Sequence, residues 1–192
     1  MAQVDDILSP FVRKVLGINI EAAYTRLVPT GDGNPQAREI LTTATPDTVL
    51  VQPVTRLDDA KALLAGLWLW HDWLGESHTI SQGIISPTGS FWHAIMHRRE
   101  GDFSNSKYWY ARCAGHPVLQ VMAAQSPGVL NSQAPHKSLL RLMQGGWSPN
   151  AFVDLVEEVH DQPTDAHRAA AVSLQQLEWR LLFDHCSRAA GG

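Results

Sequence analysis

The chain carries one convincing strand signal, and a single strand cannot make a sheet. Thr48-Val-Leu-Val-Gln52 is an apolar, β-branched run bounded by Pro46 and Pro53. Its available partner is the ambiguous segment 38–43; otherwise it is an extended connector. Elsewhere the apolar residues recur at helical spacing. Leu64, Leu67, His71 and Leu74 fall at offsets of 3, 4 and 3, which is one helix face. Trp68, Trp70 and Trp73 widen that stripe. Leu174, Leu177, Leu181 and His185 mark a long amphipathic helix over 164–189. The expected fold is mainly α: an irregular multi-helix single domain with at most a short strand pair, its helices packed around a central cluster.

Gly, Pro and capping residues set the expected boundaries. Ser9-Pro10 supplies a cap and a first-turn proline for a helix within 5–16. A second helical stretch is expected over Ile20 to Leu27, then a loop over Pro29 to Pro35. Gly75 is the expected stop of the helix that begins near Leu57. Residues 75–90 read as a long polar loop, of the kind that often carries function. Ser90 is the expected cap of a helix over Phe91 to Glu100. Gly101-Asp102 breaks it, and a helix over 104–114 ends at Gly115-His116-Pro117. A short helix over 118–124, loops over 125–137 and 144–149, and a helix over 151–160 complete the chain. No linker divides it, so 1–192 is expected as one domain. Its three parts are N-terminal helices and connector (1–56), a His/Trp-rich centre (57–120) and C-terminal helices (121–192).

Composition narrows the function classes. Of 192 residues, 44% are apolar and 18% charged, with a net charge of −4. Arg98-Arg99, with Lys107 and Arg112 further on, is too thin a basic cluster for a phosphate-backbone binder, so no nucleic-acid partner is expected. Cys113 and Cys186 read as free thiols, although sequence alone leaves a disulfide between them open. The start, Met1-Ala-Gln-Val-Asp-Asp, lacks a basic segment followed by an apolar core, and the apolar run at Ala62 to Trp70 is too short for a membrane span. The expectation is a cytoplasmic protein without a membrane partner. No nucleophile elbow, phosphate loop or dinucleotide fingerprint is present.

The nine histidines and seven tryptophans stand out. In His93-Ala-Ile-Met-His97-Arg-Arg-Glu100 the two histidines lie one turn apart on one face, with Glu100 three residues on. Two imidazoles at that spacing can grip a divalent metal such as Zn, Mn or Fe, and a carboxylate can supplement them. Ala94 stands where a metalloprotease needs Glu, so that class is not supported. Further ligands are at hand in His71, on the apolar face of its helix, and in Glu76 and His78. The expected metal set is His93, His97, Glu100 and His78. His93, His97 and His71 are the acid–base candidates. The alternative is a set of buried, hydrogen-bonded structural histidines, the commoner fate of a lone residue such as His71.

Arg98, Arg99, Asn105 and Lys107 form a candidate anion site at the start of the following helix. The plainer alternative pairs the two arginines with Glu100 and Asp102 at the surface. Trp70 and Trp92 are candidate pocket walls, against a core role for tryptophans at helical spacing. Glu157-Glu-Val-His160 has the spacing of a di-iron half-site but no second copy.

The stretch Ser90-Phe-Trp-His-Ala-Ile-Met-His-Arg-Arg-Glu, with Asn105-Ser-Lys-Tyr-Trp109, Trp70-His71-Asp72 and Gly115-His116-Pro117, resembles an uncharacterised bacterial and fungal protein family. The resemblance covers residues 58–120, with a looser echo at Glu178-Trp179 and Phe183, and implies no activity or residue roles. Three functions stay open. One is an enzyme acting on a small polar or anionic, sugar-like metabolite, metal-assisted or by histidine acid–base chemistry. The others are a non-catalytic binding domain for such a ligand, and an assembly protein whose Trp-rich faces make a homodimer.

Overall fold

The structure, a computed structural model, describes residues 6–130, 147–163 and 166–192. The loops expected over 131–137 and 144–146 lie outside the described residues. The fold is mainly α, as expected. Its helices are α1 (Pro10–Gly17), α2 (Pro35–Leu41), α3 (Leu57–Trp70), α4 (Leu74–Ser81), α5 (Pro87–Glu100), α6 (Phe103–Ala111), α7 (Pro117–Leu130), α8 (Pro149–Val159) and α9 (Ala166–Gly191). Five of them begin at a proline. Ser9, Asn34, Ser86 and Ser148 cap four of these by accepting a backbone N–H three residues on. Proline lacks an N–H that the first turn could not use, and its fixed φ suits a helix start.

Among the described residues there is no strand. The run 48–52 begins at the last residue of a 3₁₀ turn (Pro46–Thr48), which is closed by Thr45 N–H donating to Thr48 Oγ1 at 3.1 Å. Val49 and Leu50 then go into the core. Leu50 makes an isolated antiparallel bridge to Leu8, not to 38–43, most of which is α2. The helix expected over Ile20 to Leu27 is a run of turns. Asn19 and Tyr24 take positive φ (49° and 56°), which a right-handed helix cannot contain. Tertiary partners hold it open: Gln175 Nε2 donates to the carbonyls of Tyr24 and Arg26.

The loop expected over 75–90 is the largest correction. The α3 helix stops at Trp70, and the chain reverses through Asp72 at φ 64°. Arg26 and Arg99 both bond the Asp72 carboxylate. Gly75 lies inside α4. The α5 helix starts at Pro87 with Ser86, not Ser90, as its cap, because Gly89 lets the first turn close onto the preceding backbone. A Cβ at Gly89 would sit 2.2 Å from the Ile84 carbonyl oxygen. Gly89→Ala is therefore expected to destabilise the protein by about 1–3 kcal/mol. Urea denaturation measures this, and an unchanged midpoint would contradict the close approach. The helix expected over 118–124 runs on through Pro127 to Leu130.

The α3 helix is apolar nearly all round, so it is buried centrally. Leu63, Leu67 and Leu69 meet Trp92 and Phe183 in the main core. A smaller core of Leu27, Phe152, Leu155, Val156 and Leu174 lies under α8 and α9. Every residue of α5 from Thr88 to Arg99 is buried. That places both arginines inside, which corrects their surface pairing and their role as ligand anchors. Arg98 Nη2 donates to Glu178 Oε2 at 2.6 Å, and Arg98 Nη1 donates to the Tyr110 hydroxyl. That hydroxyl donates to Glu178 Oε1 at 2.8 Å, closing a ring of three groups. Arg99 donates to the carbonyls of Leu69 and Arg26 and to Asp72. No helix among the described residues is long and apolar enough to cross a membrane.

Candidate metal centre

Three consecutive helices build the site. His78 comes from α4, while His93 and His97 lie one turn apart on α5. The candidate ligand atoms of these three residues all lie within 4.8 Å of one another. His93 is sandwiched between two parallel rings: His97 at 4.7 Å and Trp109 of α6 at 4.1 Å between centroids. His78 stands edge-on to both other histidines, at 4.8 and 5.3 Å. His93 and His97 are buried and His78 is half-buried. The centre thus has a closed floor and one side towards solvent.

Protonation follows from the surroundings. Glu100 Oε2 lies 2.9 Å from His97 Nδ1. A carboxylate there accepts a hydrogen bond from Nδ1–H and leaves the Nε2 lone pair facing away. Asn105 Nδ2 lies 3.1 Å from that Nε2, so this amide must move aside for a metal ion. Burial, then the neighbouring His97 and His78, pushes the His93 pKa down to about 4. His93 is therefore neutral at neutral pH, the form that ligates metal. Its Nδ1 is buried with no hydrogen-bond partner, a costly state for a polar atom. A tetrahedral zinc site with bonds of about 2.0–2.1 Å needs nitrogens roughly 3.3 Å apart, so the rings would have to close up, and the stacked His93 and His97 rings to turn until their lone pairs converge. These three histidines could hold a metal ion.

The other expected site residues divide. Glu100 is exposed and orients His97 rather than joining the ligand group. Asn105 does reach the centre. His71 does not: its Nε2 bonds the Val15 carbonyl at 2.9 Å, and burial lowers its pKa so that it is a neutral donor there. It is a satisfied core histidine. Glu76 pairs with Arg38 at 2.9 Å. Lys107 pairs with Asp154 at 2.6 Å, which removes it from the expected anion site. Trp92 is fully buried in the core. Trp70 packs against Tyr24 and Trp179, and Trp109 is the tryptophan that walls the centre. A signal for it existed: Asn105 and Trp109 are one turn apart, matching the spacing of His97 and His93 opposite. None of the seven tryptophans is exposed.

Both cysteines are free and buried, and burial pushes each thiol up to about 12. They are poor nucleophiles in that state. A second histidine pair, His116 and His185, meets edge to face at 4.7 Å. Burial and then His185 push the His116 pKa down to about 4. Unfolded histidine titrates near about 6.5. Between those values the unfolded chain binds protons that His93 and His116 refuse in the fold. Their contribution to stability is full above the unfolded value and is lost as pH falls towards 4. The melting temperature of metal-free protein is expected to drop by roughly 5 °C or more from pH 7 to pH 5. A flat profile over that interval would sink this account.

Comparison with known proteins finds no match to a family model, to a curated protein or to a solved structure.

Proposed function

We propose that the protein is a metal-dependent enzyme acting on a small polar metabolite, with His78, His93 and His97 holding one divalent cation. The observation that carries this reading is the convergence of three histidine ligand atoms from α4 and α5 within 4.8 Å. Glu100 behind His97 and the neutral His93 support it. Three imidazoles suit zinc, iron, nickel or copper better than manganese, which favours oxygen ligands. Zinc fits a set of three protein ligands with a further position left open, the usual layout of a catalytic rather than a structural zinc site. A cation held there would supply Lewis acidity and lower the pKa of water. The chain's own groups do the rest. Trp109 fixes the His93 ring, Glu100 fixes the His97 tautomer, and Asn105 can hydrogen-bond a bound oxygen.

The test is the metal content of protein purified without a His-tag, beside a His93→Ala/His97→Ala double mutant. Near-stoichiometric metal in the wild type, lost in the mutant while the fold persists by circular dichroism, is the expected result. Wild-type protein that arrives without metal and takes up neither zinc nor iron overturns the metal reading. The His97–Glu100 pair, within hydrogen-bond reach at 2.9 Å, favours the second reading in that case: metal-free general-base chemistry by His97.

A further inference from the structure

We propose that the cavity beside the histidine centre binds a small carboxylate with a flat or branched apolar body, and that Arg112 selects it. This deepens the enzyme reading, which supplies the reacting centre; the binding step itself does not depend on a metal.

The cavity measures about 480 Å³ and lies between the end of α4, the turn into α5 and α6. That is within the usual range for small-molecule sites. It shares one residue with the centre, Trp109. Gln82, which closes the end of α4, follows His78 by four residues, and Ser90 precedes His93 by one turn on α5. Trp109 both lines the cavity and stacks on His93. A ligand seated against Trp109 therefore touches the ring that stacks on His93.

The lining chemistry defines the guest. Ile84, Ile85 and Trp109 give it an apolar wall, and Ser90 and Gln82 add polar atoms. Ile85 stands at the lip 99% exposed. Arg112 is the charged residue in the lining, and no acidic residue lines it. The other arginines near the site are committed: Arg98 to Glu178 and Arg99 to Asp72. Arg112 forms no ion pair among the described residues. Its Nη1 donates to the Tyr108 hydroxyl at 3.1 Å, and its guanidinium lies 5.3 Å from the Trp109 ring centre and 5.6 Å from that of Tyr108. Two rings thus hold the fork while donors remain for a planar acceptor. One cation without a second basic partner matches one negative charge, so the guest is a carboxylate rather than a phosphate ester. The anion-orienting role expected of Arg98 and Arg99 thus falls in this proposal to Arg112, the residue that closes the C-terminal end of α6.

Calorimetric titration of zinc-loaded and metal-free protein with benzoate and with benzamide tests this, using wild type, Arg112→Gln and Arg112→Lys. Benzoate is expected to bind both forms at least tenfold tighter than benzamide, roughly the effect of one charge-assisted hydrogen bond. Arg112→Gln should remove that preference, and Arg112→Lys should restore part of it. Zinc affinity and melting temperature should not change, because Arg112 is exposed and does not touch the three histidines. No benzoate binding, equal binding of the two probes, or benzoate binding indifferent to Arg112 overturns the proposal; the last of these, confined to the zinc-loaded form, identifies direct ligation of the metal. Arg112-dependent benzoate binding in protein that takes up no zinc supports the proposal and overturns the metal reading alone.

Discussion

Glu178→Ala is expected to destabilise the protein by about 3–5 kcal/mol. Total stabilities of such domains run to about 5–15 kcal/mol, so this one change should leave a large unfolded fraction at growth temperature. Glu178 and Arg98 are both fully buried, with side chains at 0% exposure. Burial opposes the charge on Arg98, but Glu178 and then the Tyr110 hydroxyl more than offset this and hold its pKa above the ordinary arginine value. The guanidinium cannot escape the loss of its partner by shedding a proton. It would stay charged in the core, facing the ring of Phe152 at 4.4 Å. Tyr110 would lose its acceptor at the same time, since burial first of all keeps its phenol protonated. The double change Arg98→Met/Glu178→Leu should recover most of the loss, because replacing both partners removes the buried charge itself. Urea denaturation of the single and double variants measures both. A single variant within 1 kcal/mol of wild type would show that this ion pair does not form as described.

Zinc at about a thousandfold excess over its dissociation constant should stabilise the native protein by about 4 kcal/mol. For a chain of this length that raises the melting temperature by roughly 8–16 °C. His78→Ala should abolish most of the shift while leaving metal-free melting close to wild type, since His78 is half-buried and its side chain meets other rings, His93 and His97, rather than a hydrogen-bond partner among the described residues. Glu100→Gln should weaken zinc binding by roughly 10–100-fold, the usual effect of losing a carboxylate behind a ligating histidine. The zinc-dependent shift should fade as pH falls, because the cation competes with protons for the imidazole lone pairs. Differential scanning fluorimetry across a zinc titration reads all three. No shift for the wild type at pH 7.5 would remove the metal centre from consideration.

Much of the site was legible because it is local. His93, His97 and Glu100 are linked by the helical period alone, and that period holds wherever α5 packs. Asn105 could be placed near them because only Gly101-Asp102 separates α5 from α6, so the two helices are neighbours. His78 was picked out on a wrong premise: it sits on α4, not in a loop, because Gly75 and the polar residues around it hid a short helix that packs between α3 and α5. The anion site was misread because α5 lacks an obvious solvent face. It carries His, Arg, Trp and Phe all round, so hydrophobic patterning cannot tell which residues point inward.

The sequence by itself determined the helical class and helix starts such as Ser9-Pro10. It also determined the HxxxH pair with its trailing glutamate. All of these depend on contacts within about four residues, where backbone geometry leaves little choice. Only the tertiary structure decided the partners. Arg98 chose Glu178, 80 residues away, and Arg99 chose Asp72, 27 residues away. His71 turned to Val15 while His78 came to lie beside His93 and His97, and Trp109, not Trp92, stacks on His93. Such choices follow from which helix faces meet. A buried charge must find a counter-charge wherever packing brings one, and spacing along the chain does not encode that meeting.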